Sequence, residues 1–181
     1  LPHYIHLDLA LNKGGRGDFA GFCFPAGTKV TMANGTQKNI EKIHIHEEVL
    51  THTLKKRQVT ELHFRPYTGT MYTITTADTK SVRCTSEHPF AVIKSKGIEW
   101  IEASKLKEGM TLVTFNGKTY DHVKLEDIGR EEAIKVPVWN LGVKTDNTYI
   151  ANNILVHNCM VHIDGWEQDE NTLEYYPKIY V

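Results

Sequence analysis

With 181 residues, 40% of them hydrophobic, and a formal net charge of −1, the chain is large enough to bury one good core or two small ones. Its near-balanced charge does not suggest a nucleic-acid surface, and no apolar run approaches the roughly eighteen residues of a membrane span, nor does a signal peptide open the chain. The three cysteines, Cys23, Cys84 and Cys159, are odd in number and form no C-x-x-C pair, which argues against a disulfide framework and a zinc finger and fits a reducing compartment.

In chain order, residues 1–22 open with an apolar strand over Tyr4–Leu11 carrying one acid, Asp8, followed by a Gly-rich turn over Asn12–Asp18. A second strand starts at Phe19–Phe22 and runs into Cys23-Phe24-Pro25-Ala26-Gly27, where Pro and Gly break it. If residues 23–158 are removed, Phe19–Phe22 continues directly as Cys159–Ile163, one unbroken strand of ordinary length. The two ends, Leu1-Pro2 and Val181, read as those of a piece cut from a longer protein.

Between Thr28 and Val156 the pattern is of short runs rich in Val, Ile, Thr and Tyr, punctuated by turn signals at Asn34-Gly35, Asn116-Gly117 and Asn152-Asn153. The runs fall at Thr28–Met32, Glu48–His52, Gly69–Thr75, Ser81–Thr85, Phe90–Ile93, Ile98–Ile101, Thr111–Phe115, Val136–Val143, Thr148–Ala151 and Ile154–His157. Short helical turns are expected at Thr36–Glu41, Glu102–Leu106 and Leu125–Ile128. The sum is an all-β middle, a closed or horseshoe-like double sheet.

The reactive residues stand at the two edges of this middle. A cysteine is the side chain most easily activated as a nucleophile near neutral pH, so Cys23 can attack the Phe22 carbonyl and turn the amide into a thioester. Cys159 can take the acyl group by thioester exchange. Asn158 can attack its own carbonyl through its side-chain nitrogen, close a five-membered imide and release the Cys159 amine, a step that is slow without pre-set geometry. That amine then converts its neighbouring thioester to an amide, joining Phe22 to Cys159. Taken alone, His157-Asn158-Cys159 is a common tripeptide, and a lone Cys is more often a small buried apolar residue. Cys84, beside Thr85 on a strand, is read as core.

Three motifs in order carry a more specific reading: Cys23-Phe24-Pro25-Ala26-Gly27-Thr28-Lys29-Val30, then Thr85-Ser86-Glu87-His88-Pro89-Phe90, then Thr148 to Cys159. They resemble the amino-terminal splicing block, the Thr-x-x-His block and the carboxy-terminal block of the inteins and the wider Hint (Hedgehog/intein) family. The resemblance spans Cys23 to Asn158, 136 residues, too few for an inserted homing endonuclease of ordinary size, and so implies a mini-intein with flanking exteins at 1–22 and 159–181. It implies a horseshoe-like Hint fold and single-turnover self-processing in cis, with the chain's own flanks as substrate and no cofactor. A monomer in the cytoplasm of a bacterial or phage-infected cell is expected, with neither membrane nor nucleic acid as partner of the central domain.

By this resemblance His88 is the general acid/base that protonates the departing Cys23 nitrogen, Thr85 holds the strained bond or contributes to an oxyanion site, and His157 polarises the Asn158 carbonyl. The residue-level alternatives are a satisfied core histidine at His88 and an edge-strand polar residue at His157. Two positions depart from the family pattern: Asn140 stands where many inteins carry an acid, and Asn147 where they carry a His, so neither can transfer a proton as the usual residue would. Asp146 is the nearest candidate to take over. Zn²⁺ held by Cys23, Cys159 and nearby His would inhibit.

The joined flanks are similar to the start of the nuclease domain of phage terminase large subunits, in which Asp8 would match an acid that binds Mg²⁺ or Mn²⁺ and the intact host would act on DNA. A solvent-facing Asp in an edge hairpin is the alternative. Three functions therefore stay open: protein splicing, a cleavage-only Hint domain, and a non-catalytic β-rich interaction module.

Overall fold

The computed structural model describes residues 5–6, 23–158, 163–168 and 175–179. The strands run β1 (Ile5–His6), β2 (Phe24–Pro25), β3 (Lys29–Thr31), β4 (Gln37–Asn39), β5 (Glu48–Leu50), β6 (Lys56–Thr76), β7 (Ser81–Thr85) and β8 (Pro89–Lys94). They continue as β9 (Gly97–Glu102), β10 (Thr111–Phe115), β11 (Tyr120–Val143), β12 (Thr148–Ala151), β13 (Ile154–His157), β14 (Ile163–Gln168) and β15 (Tyr175–Ile179). One sheet takes the order β1-β6-β11-β10-β8-β13-β12-β3-β4, with β2 on β11, β5 and β7 on β6, and β9 on β8; β14 and β15 pair separately. Within residues 23–158 every strand pairing is antiparallel. The all-β class expected from the sequence is what is found.

Two strands are far longer than the sequence pattern suggests. β6 and β11 pair from Val59 opposite Val143 to Thr76 opposite Leu125, a ribbon that runs through Pro66 and Pro137 without breaking. The two prolines face each other in register. Opposed prolines suit a position where neither residue owes the other an N–H, so the ladder loses no bond between them. Register shifts between Ala133 and Val136 and between Gly142 and Val143 bend the ribbon. Gly142 lies so close to β6 that a Cβ there would sit 2.8 Å from the Glu61 Cβ.

Leu125–Ile128, expected as a helical turn, belongs instead to β11. The apolar pair is spaced by three, which imitates a helix. A register shift between Leu125 and Asp127 restores the alternation, so Leu125 is buried and Ile128 packs on the same core. The turn expected at Glu102–Leu106 is a single 3₁₀ turn at Ala103–Lys105, whereas most of Thr36–Glu41 is strand β4 and the 3₁₀ turn follows it, at Ile40–Lys42. The turn between β12 and β13 uses Asn152 and Asn153, both left-handed at φ 46° and 63°, a conformation that Asn tolerates and that matches strand twist.

The main core fills the curl of the sheet around Phe24, Ile74, Phe90, Leu112, Leu141 and Tyr149. Beside it a smaller cluster holds Cys23 with Tyr67, Met71, Ala133 and Val138. The upstream edge of the middle segment is thus packed into the core.

Candidate active site

Cys23 enters β2 with its side chain 3% exposed. It is fastened by a reciprocal pair of hydrogen bonds: its N–H donates to Thr85 Oγ1 at 3.0 Å, and the Thr85 N–H donates to the Cys23 carbonyl, also at 3.0 Å. Thr85 reaches it because β7 ends there and a tight turn follows, in which the His88 N–H donates to the Thr85 carbonyl. The 3₁₀ turn braces this loop, the Ala103 N–H donating to the His88 carbonyl at 2.8 Å. The His88 imidazole is fully buried and tilted over the Phe24 ring at 4.1 Å between centroids, with Phe90 on another side at 5.5 Å. Thr85 and His88 are thereby gathered at Cys23 and the residue after it.

The downstream edge is built differently. After β11, Lys144–Asn147 turns back with Thr145 and Asn147 in the left-handed region, at φ 68° and 51°. The Asn147 carbonyl then accepts from the Asn158 main-chain N–H at 2.9 Å. With the Asn158 amide oriented to satisfy both its ends, its Nδ2 donates to the same Asn147 carbonyl at 2.6 Å and its Oδ1 accepts from the Val143 N–H at 3.0 Å. The nitrogen that would attack is thus aimed by main-chain groups. His157 Nδ1 lies 2.6 Å from the Asn158 carbonyl oxygen. A carbonyl can only accept, so Nδ1 carries the proton. The Trp100 indole meets the His157 ring edge-on at 4.9 Å.

Asp146 is committed elsewhere. Its carboxylate accepts from Thr51 Oγ1 at 2.5 Å, Thr53 Oγ1 at 2.8 Å and Arg57 Nε at 3.0 Å. Burial alone would raise its pKa, but these hydrogen bonds and the Arg57 charge outweigh burial and hold it well below the usual carboxylate range. So placed, it ties the 51–57 hairpin to the 144–147 turn. Asn140 is 1% exposed, with Oδ1 accepting from Tyr149 Oη at 2.7 Å and from the Leu141 N–H at 2.8 Å. The Tyr149 hydroxyl and the Asn147 carbonyl had no signal in the sequence pattern, the second because it acts through the main chain.

Cys84 is buried in the main core, where burial, helped by the Glu87 charge, pushes its thiol up and leaves it inert. Cys159 and Asp8 lie outside the described residues. Among the described residues no three His, Cys, Asp or Glu side chains gather to hold a metal ion, and no helix is long and apolar enough to cross a membrane.

Residues 23–137 match the family described as Hom_end-associated Hint. The chain belongs to this Hint family. Among solved structures, the gp41-1 intein superposes with a TM-score of 0.62 at 28% identity, covering 76% of this chain and 99% of that one. A bacterial intein-like domain from Clostridium thermocellum gives 0.62 at 27% identity, covering 75% and 98%. The TvoVMA intein gives 0.70 at 19% identity, covering 77% and 99%, a likeness of fold. A search of curated proteins finds no match. The Hint sheet therefore accounts for the curl that brings Thr85 and His88 to Cys23, and the 144–147 turn to Asn158.

Proposed function

We propose that the chain is an autocatalytic protein-splicing element, in which residues 23–158 excise themselves and join residues 1–22 to residues 159–181. Cys23 attacks the Phe22 carbonyl, His88 protonates the amide nitrogen as it leaves, and Thr85 holds that nitrogen by its N–H. The acyl group passes to the Cys159 sulfur. Asn158 Nδ2 then attacks its own carbonyl, expelling the Cys159 amine, which takes the acyl group from sulfur to give an ordinary peptide bond.

The observation that carries the reading is the His157 Nδ1 contact with the Asn158 carbonyl oxygen at 2.6 Å. A donor at that oxygen stabilises the negative charge that builds there during imide closure. The test is to incubate the purified chain with a thiol and weigh the products. A ligated species of residues 1–22 plus 159–181 is expected, and it should vanish in Cys159→Ala. No ligated product from the unmodified chain would sink the proposal.

The cleavage-only alternative is favoured by Asn140 and Asn147, which stand where a carboxylate and an imidazole would help to coordinate the steps, and by the likeness to the bacterial intein-like domain. It gives separate flanks and no joined mass. For the host, the terminase reading of the flanks, with Asp8 as a Mg²⁺ or Mn²⁺ ligand and DNA as substrate, rests on their sequence resemblance; metal-dependent DNA cleavage by the joined full-length host, lost on Asp8→Asn, would test it.

A further inference from the structure

A histidine at the end of a strand can rotate about its last side-chain bond and exchange its proton between two ring nitrogens. His157 is such a residue, ending β13 and only partly buried. Its contact with the Asn158 carbonyl requires one rotamer and one tautomer, so something must select them.

The sheet supplies a selector from two strands away. Trp100 on β9 lies opposite Ala91 on β8, and Val156 on β13 lies opposite Phe90 on β8. Continuing that register puts Leu155 opposite Ala91, and the two pack in one small cluster with Val113. Side chains two apart on a strand share a face, so Trp100, Ala91, Leu155 and His157 all stand on the same side of the sheet. The small side chain at Ala91 leaves a trough over β8, and the indole crosses it diagonally to reach the imidazole, 4.9 Å between centroids and 75° between planes. Trp100 remains 38% exposed, so packing into the core does not explain its position.

We propose that Trp100 is a positioning residue for His157: the edge-to-face contact holds the imidazole plane where Nδ1 meets the Asn158 carbonyl, and the hydrogen bond to that carbonyl then keeps the proton on Nδ1. This rests on the splicing reading for its purpose, but the ring geometry can be tested apart from it. An aromatic pair at this spacing prefers the tilted arrangement, and tilting either ring away would turn Nδ1 off the carbonyl oxygen.

The experiment uses the full chain in two backgrounds. Cys23→Ala isolates cleavage at Asn158-Cys159, and Asn158→Ala with Cys159→Ala isolates thiol-induced release of residues 1–22. Trp100→Ala is expected to slow the downstream cleavage about tenfold more than the upstream release, with Trp100→Phe recovering most of the loss. In ¹⁵N imidazole spectra, the Nδ1-protonated pattern of His157 should give way to a mixture in Trp100→Ala and persist in Trp100→Phe. Equal slowing at both junctions, no slowing, or an unchanged His157 spectrum would overturn the assignment. If the unmodified chain gives no ligated product, the splicing reading falls, and the spectrum alone decides whether Trp100 sets the ring.

Discussion

The two junctions of the middle segment are held by different means. Cys23 is clasped by one residue of another strand, Thr85, whose hydroxyl oxygen accepts from the Cys23 N–H and whose main-chain N–H donates to the Cys23 carbonyl, in a spot packed by core residues. Asn158 is held by main-chain groups, the Asn147 carbonyl and the Val143 N–H, at a left-handed turn, with a partly exposed imidazole as its reactive neighbour. The upstream site therefore depends on which side chain occupies position 85. The downstream site depends on the path of the backbone around residues 144–147.

The comparison is broken most severely at Asn158. Asn158→Ala removes the attacking nitrogen, so downstream cleavage should fall at least about a thousandfold while thiol-induced release of residues 1–22 continues; loss of both reactions on mass analysis would mean that the junctions are not separately built. Next in size is Thr85→Val, which keeps the shape and loses the oxygen that accepts from the Cys23 N–H. Upstream release is expected to drop about 10- to 100-fold, with the downstream rate in a Cys23→Ala background within about twofold, because Thr85 shares none of the hydrogen bonds that hold Asn158. A matching fall in both rates would count against the division.

Asp146→Asn probes the backbone path. It weakens the charge-assisted bonds to Arg57, Thr51 and Thr53 and should cost about 1–3 kcal/mol of stability at neutral pH in urea titrations. Because the folded state holds the Asp146 proton less tightly than the unfolded chain, its contribution is complete above the ordinary carboxylate pKa and fades as the pH falls through the lowered folded value. The wild type should therefore lose stability on acidification and the variant lose less. An identical acid limb in the two proteins would contradict this. The smallest effect is expected from Tyr149→Phe, which deletes one donor to Asn140 and should lower stability by about 0.5–1.5 kcal/mol. Tyr149 pairs with Val156 and meets the Phe24 ring, so any rate effect should appear at both junctions alike.

What the sequence made legible follows the same division. Cys23, Thr85, His88, His157 and Asn158 could be picked out because the chemistry demands particular side chains at set places along the chain. The contribution of Asn147 was hidden because a carbonyl is the same in every residue, and only its left-handed φ turns it toward Asn158. The partners of Asp146 were hidden because adjacency in sequence says nothing about direction; the turn points its carboxylate toward Arg57. The strand at Pro137 was read over Val136–Val143, but its partner through Pro66 was missed because a proline ordinarily argues against a central strand, and only a partner strand carrying its own proline in register removes the objection. Trp100 meets His157 by crossing β8, a neighbour relation with no periodicity along the chain.

The β6–β11 ribbon has a consequence for a severed chain. A nick at the exposed Asn116–Thr119 turn would place β11, β12 and β13 on one fragment and their partners β6, β10, β3 and β8 on the other, so the strands of the two fragments interleave in blocks of one or two across the sheet. Neither fragment could close a core by itself, and each exposes the long edge that the other completes. Two separately made halves are therefore expected to pair along that edge and rebuild the sheet.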